Sequence, residues 1–418
     1  MFEFSRDLRK LFAQARESED LSWLELIGVD LLASEARGQC TDAGRVSCAK
    51  PHLAWLRGAA LWREHARRSG AADSVTRALG AAIDAARSAK SIDEIARAGV
   101  ERANVLLLRF DLSGGRDVLD QAAEAVPGAS AVKPATTALI SAVHARIRSR
   151  LARFDSDATA LMQAAALLDA AIHQMERTRA GNTDDIRMDR AALALEAGVT
   201  RRDPHLLDQA GRELLRLVEG ASPDYRPLTR ARALTLCGAG LSALAALAGD
   251  EAAREQGRIM FEAAADQFTP DHSPLDWATV QIVRGGQTGA VSLAALRQAD
   301  ALTAGQGLVL GAMARDMLIE GEVAAAASIG DLPRLTTAEG AVRRRLSDTP
   351  ASDLDWAVDQ IAMARIAQAR ALLTGGDASL TGLALVEAAE VARERGLPAL
   401  AARADAMMKA RSVRAREL

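Results

Sequence analysis

Aromatic side chains are scarce in this chain, at 3% of 418 residues with a single tyrosine and five tryptophans. A core of stacked rings is therefore excluded. So is a nucleic-acid surface made of aromatic platforms. Cysteine is also rare: Cys40, Cys48 and Cys237 make no disulfide framework and fit a reducing compartment, so a cytoplasmic location is expected. Lysine occurs only at Lys10, Lys50, Lys90, Lys133 and Lys409, which leaves arginine as nearly the whole basic complement. Neither charge sign dominates. A net charge of −3 and a pI of about 6.1 argue against a general polyanion binder. The first residues, Met1-Phe2-Glu3-Phe4-Ser5-Arg6-Asp7, include acids and lack the apolar stretch of a secretory signal. The longest uncharged run, Ala233 to Gly249, is rich in Ala and Gly. It falls short of the roughly 20 strongly apolar residues of a membrane span, so a buried helix is expected there.

Small apolar residues, alanine above all, make up most of the 49% hydrophobic content. Alanine has the highest helix propensity and lets helix axes approach to the short end of roughly 8–10 Å. Few segments alternate as strands do. The expected class is all-α. A chain of this length exceeds what one core usually organises, unless the architecture grows by repetition.

Turn residues and apolar periodicity divide the chain into helices. Near the start, 5–16 and 21–37 read as helices, followed by a loop from Gly38 to Lys50. Further helices are expected at 51–68, 73–90, 92–112, 116–126, 134–154, 157–178, 184–199, 204–219, 227–248 and 251–268. The pattern continues at 274–288, 290–304, 308–328, 332–346, 353–373, 379–395 and 398–414. Pro51, Pro204 and Pro227 suit first turns, and Asp155, Asp157 and Asp203 suit helix starts. Short connections between these helices imply antiparallel hairpins.

One nine-residue stretch occurs twice. Ser273-Pro274-Leu275-Asp276-Trp277-Ala278-Thr279-Val280-Gln281 returns as Ser352-Asp353-Leu354-Asp355-Trp356-Ala357-Val358-Asp359-Gln360, and both copies read as helix N-termini. The two tryptophans lie 79 residues apart, and half of that interval is 39.5. Leu119-Asp120-Gln121-Ala122, Leu168-Asp169-Ala170-Ala171 and Leu207-Asp208-Gln209-Ala210 share Leu-Asp-x-Ala at looser intervals. Together these segments resemble the tetratricopeptide-repeat superfamily. Trp277-Ala278-x-x-Gln281 and Trp356-Ala357-x-x-Gln360 are similar to its first helices, and the Leu-Asp-x-Ala segments to its second helices. The spacing is longer than the roughly 34 residues of a standard repeat. Arg284-Gly285 and Met363-Ala364 stand where the family usually has Leu-Gly. The resemblance implies a right-handed α-solenoid of antiparallel hairpins, with irregular repeats of about 40 residues and first helices lining a concave groove. The implied organisation is a helical cap and loop over 1–50, repeats over 51–396 with a break near 269–274, and a capping helix and tail over 397–418.

Several constellations carry both a plain and a functional reading. Cys40, Cys48 and His52 lack the paired spacing of a structural zinc site, and a loop with two free thiols is simpler. Gly285-Gly286-Gln287-Thr288-Gly289 has no phosphate-loop lysine and reads as a helix break. The six histidines are scattered, and neither a metalloprotease motif nor a nucleophile elbow occurs. Arg146, Arg150 and Arg153 form a basic strip on one helical face. Arg343, Arg344 and Arg345 form a second group, and Arg411, Arg414 and Arg416 a third. Solvated faces and local ion pairs are the plain reading of such runs. The functional reading is an acidic segment on a protein partner. The family register places Arg365 and Gln368 on the groove side. Trp277 and Trp356 are expected to pack between neighbouring hairpins rather than anchor a ligand.

The expectation is thus a non-enzymatic scaffold or adaptor, with no cofactor and no metal. It binds a protein or peptide partner through Arg365, Gln368, Arg146, Arg150 and Arg153. The alternative is a regulatory subunit whose helical stack senses a small molecule.

Overall fold

Proline and short acidic side chains open the helices as the sequence implies. The computed structural model describes residues 22–126, 128, 132–155, 157–287, 293–348, 352–376 and 382–417. A short 3-10 helix, Ser22–Leu26, precedes α1 (Val29–Ala43), α2 (Pro51–Ser69), α3 (Ala72–Arg87), α4 (Ile92–Ser113) and α5 (Arg116–Ala125). Next come α6 (Pro134–Asp155), α7 (Ala158–Thr178), α8 (Asp184–Arg201), α9 (Pro204–Gly220), α10 (Pro227–Ala248) and α11 (Glu251–Gln267). The remainder is α12 (Pro274–Gln287), α13 (Leu293–Thr303), α14 (Val309–Ser328), α15 (Leu332–Ser347), α16 (Asp353–Thr374), α17 (Gly382–Glu394) and α18 (Pro398–Glu417). There is no strand among the described residues.

The connections show how local chemistry turns the chain back. Arg202 adopts φ 54° after α8, and the Asp203 carboxylate then accepts from the His205 amide at the start of α9. Gly249 does the same after α10 with φ 68°, and Asp250 accepts from the Ala252 and Ala253 amides. A left-handed residue followed by a side-chain cap satisfies orphan groups on both helices within two residues. In the second copy of the repeated stretch, Ser352 accepts from the Asp355 amide as the cap of α16.

Two compact groupings exist: the described parts of Met1–His65, Arg77–Ala103 and Ala125–Ser273, and of Ala66–Thr76, Asn104–Glu124 and Pro274–Leu418. In the first, α6 packs on α8 and α8 on α10, while α7 and α9 each wedge between successive members of that row. The second grouping repeats the scheme: α12, α14, α16 and α18 form the row, with α13, α15 and α17 between them. In both groupings alternate helices thus pack side by side, with the intervening helices between them.

Alanine fills the seams. Ala357, Ala364, Ala388, Ala389, Ala392, Ala401 and Ala404 surround Leu354, Val358, Ile361 and Leu385, with Trp356 partly buried beside them. Trp277 has the same half-buried place beside Ala278, Ile282, Leu296 and Ala314. Both tryptophans thus pack against core clusters.

Sequence-distant contacts close each grouping. In the first, the buried Glu25 carboxylate accepts from the Thr229 amide (2.8 Å), the Thr229 hydroxyl (2.5 Å) and Arg226 Nε (2.8 Å). An anion is thereby set on the positive end of α10. His272 Nε2 donates to the Glu25 carbonyl at 2.9 Å. In the second, Gly114 has φ +69° and sits so close to the Arg395 carbonyl oxygen that a Cβ would lie 2.1 Å from it.

Four details depart from expectation. The segment read as one helix over 21–37 is split into the 3-10 turn and α1. The helix then runs on to Ala43, through part of the expected loop, because Cys40 packs beside Trp55 and Ala59. α12 continues through Gly285 and Gly286 to Gln287, whereas Thr288, Gly289 and the expected helix at 5–16 lie outside the described residues. α10 is long and apolar enough to cross a membrane by length and composition, because it begins at Pro227, ahead of the uncharged run. It is packed against α8, α9 and α11, with Leu228, Ala231, Leu234 and Cys237 among its buried residues.

The close approach of α10 and α11 rests on glycine. A Cβ at Gly238 would stand 2.8 Å from Phe261 Cε1, and one at Gly257 would stand 3.1 Å from the Gly238 carbonyl oxygen. Phe261 is 1% exposed and has nowhere to retreat. Gly238→Ala is therefore expected to destabilise by about 1–3 kcal/mol through overpacking. Gly211→Ala in α9, where nothing stands within 4 Å, should stabilise by roughly 0.5–1 kcal/mol. Chemical denaturation of the two variants checks the pair, and equal effects would contradict the packing account.

Candidate functional site

Arginine carries a long apolar stem and a planar fork of donors. On a helix lined with alanine, such a side chain reaches over the small residues to the neighbouring helix. Arg146, Arg150 and Arg153 do so from α6. Arg146 Nε donates to Asp189 Oδ2 at 2.6 Å. Arg150 binds the same carboxylate through both arms, at 2.7 and 3.0 Å. Arg153 pairs with Glu196, two turns further along α8. The three cations match the two acids turn for turn.

A second constellation lies in the other grouping. Arg365 of α16 donates to Asp316 of α14, at 2.9 Å to the carboxylate and 3.0 Å to the backbone carbonyl. Arg403 of α18 pairs with the same Asp316 and donates to Glu320 at 3.1 Å. Gln368 Nε2 donates to the Met407 carbonyl at 3.3 Å, joining α16 to α18. The five side chains singled out in the sequence therefore fall in two places, each between helices of one row, and all five are engaged by the chain itself. Exposure remains at Arg153 (46%), Arg403 (43%) and Glu320 (52%).

Asp189, Glu196, Asp316, Glu320 and Arg403 are the participants that inspection of the sequence does not single out. A signal for them exists in the separations. Arg146–Asp189, Arg150–Asp189 and Arg153–Glu196 span 43, 39 and 43 residues. Arg63–Glu101 and Arg315–Asp355 span 38 and 40. An arginine and an acid offset by 38 to 43 residues are the recurrent pair. Asp355, the aspartate shared with the first copy of the repeated stretch, is thereby tied to α14. Arg345 of the second basic group grips Asp359. The side chains of Arg411, Arg414 and Arg416 lie outside the described residues.

The other sequence constellation is not assembled. Cys40 packs beside Trp55, and burial pushes its thiol up. His52 turns Nδ1 to the Ala85 carbonyl at 2.9 Å. Among the described residues, no three His, Cys, Asp or Glu side chains converge as a metal set would.

Electrostatics hold Asp189 in its charged form. Burial pushes its carboxyl up, but the charges of Arg150 and Arg146 and their hydrogen bonds outweigh this and hold it at about 2. A depressed carboxyl stabilises the fold above its unfolded value of 3.8, and the contribution is lost as pH falls from there through about 2. Asp189→Asn should therefore cost roughly 2 kcal/mol near neutrality. The difference from wild type should shrink as pH falls below 4. Denaturant titrations at a series of pH values check this, and a gap independent of pH would contradict the assignment.

Neither a scan against protein-family models nor a search of curated proteins returns a match for the chain.

Proposed function

We propose that the chain is a scaffold without chemistry of its own, built from tetratricopeptide-type hairpins wound as a right-handed solenoid. Its role is to hold a protein or peptide along the rows of first helices. The observation that carries this reading is the side-by-side packing of successive first helices, with second helices wedged between them. Ion pairs offset by 38 to 43 residues support a repeat of the length implied by the two tryptophans. Such rows offer a continuous polar face to an extended partner.

The buried members of each constellation set the frame, and the exposed members meet the partner. Arg365 and Gln368 hold α14, α16 and α18 together, which leaves Arg403 and Glu320 at the surface. Arg150 and Arg146 do the same for Arg153 and Glu196. An acidic segment competes with Glu320 for Arg403 and with Glu196 for Arg153. A few buried anchors would supply most of the affinity. The reducing compartment implied by three unpaired cysteines makes a cytoplasmic partner the natural one.

Charge reversal separates this face from the rest of the surface. Arg153→Glu should leave the melting temperature nearly unchanged, because its guanidinium is half exposed, whereas Arg403→Glu should lower it, because a carboxylate there faces the buried Asp316. A partner captured by the wild-type chain should be retained about ten-fold less by one or both variants. Arg254→Glu, in an exposed pair with Glu251 on α11, should retain it fully. Quantitative mass spectrometry of the three captures is the measurement. Equal recovery with all three variants would rule the first-helix face out.

A further inference from the structure

α7 and α9, with α8 of the row between them, frame a cleft of about 530 Å³ lined by Asp169, Arg190, Gln209, Arg212, Glu213 and Arg216. Four of these come from α9. Gln209, Arg212, Glu213 and Arg216 recur at i, i+3, i+4 and i+7 and form one face of that helix. Its other face buries Leu207, Ala210, Leu214 and Leu217 in the core. The cleft is therefore carried on a rigid element, and every side chain lining it is polar.

Not all of this polarity is spent internally. Arg190 Nε donates to Asp169 at 3.0 Å, which commits that pair and fixes the cleft wall. Arg212 pairs with Asp208 one turn back, an exposed contact that is easily exchanged. The side chains of Glu213, Gln209 and Arg216 make no hydrogen bond among the described residues. Glu213 is half buried, and burial pushes its carboxyl up against the pull of Arg190, with Asp169 adding to the rise. A carboxyl in that position gains from a donor or a cation brought to it. The outer guanidiniums of Arg212 and Arg216 gain from an anion.

We propose that this cleft binds a small, wholly polar zwitterion of the amino-acid class. Its carboxylate lies on Arg212 and Arg216, and its ammonium group lies on Glu213. Gln209 hydrogen-bonds the polar remainder. The absence of apolar lining side chains disfavours aliphatic and aromatic side chains on the ligand.

The test uses the purified full chain, so its outcome is independent of whether a protein partner exists. The twenty protein amino acids are screened by thermal shift at millimolar concentration. Those that shift are measured by calorimetry beside glutarate, which has carboxylates and no amine, and inorganic phosphate. At least one polar amino acid should bind, at least ten-fold more tightly than glutarate or phosphate. Arg216→Ala should abolish binding without altering the melting temperature of the free chain. Glu213→Gln should shrink the preference for the amine. The proposal fails if no amino acid binds, if glutarate binds equally well, or if Arg216→Ala binds like wild type.

Discussion

The structure turns on arginine side chains that cross an alanine-lined seam to a carboxylate on the next helix of a row. Alanine brings backbones close but gives neighbouring helices no preferred register, since one small flat surface slides over another. Arg150 gripping Asp189 through both arms removes that freedom, because the fork fits a carboxylate in one orientation. A buried pair of this kind has a desolvation cost that cancels much of its attraction. Its larger effect here is to decide which turn of α6 faces which turn of α8. Arg315 with Asp355 and Arg365 with Asp316 repeat that constraint in the other grouping.

The same economy of side-chain volume explains the scarcity of aromatic residues. Seams closed by Ala388, Ala389 and Ala392, or by glycine at 238 and 257, have no room for rings. The exceptions are informative. Phe261 is admitted opposite Gly238, and Trp277 and Trp356 stand half buried beside clusters of alanine and aliphatic side chains. Large residues appear where a small one yields the volume.

Much of the helical framework is legible in the sequence because its determinants are local. Pro204, Pro227, Pro274 and Pro398 open helices, and Asp157, Asp203, Asp250 and Ser352 cap them, each acting within three residues. Where tertiary packing decides, the reading slips. α1 outruns its expected end because Cys40 has a neighbour in α2, and nothing within 38–43 announces it. The candidate residues were visible for the same reason and with the same limit. Arg146, Arg150 and Arg153 declare a basic strip at helical spacing, but the acids that receive them lie 39 to 43 residues away, out of reach of any local pattern. The cleft on α7 to α9 depends on three helices meeting, so only its α9 face is periodic.

Glu25 sets an order of events during synthesis. Its carboxylate needs Arg226 and Thr229, which leave the ribosome some 200 residues later, and its carbonyl needs His272 later still. Until then the Glu25 side chain lacks the partners that hold it in the interior. Loop-closure entropy grows only slowly with such lengths, so the delay is one of translation time rather than of search. A nascent chain arrested before residue 226 would keep this segment open to proteases and chaperones, however many of its hairpins had already formed.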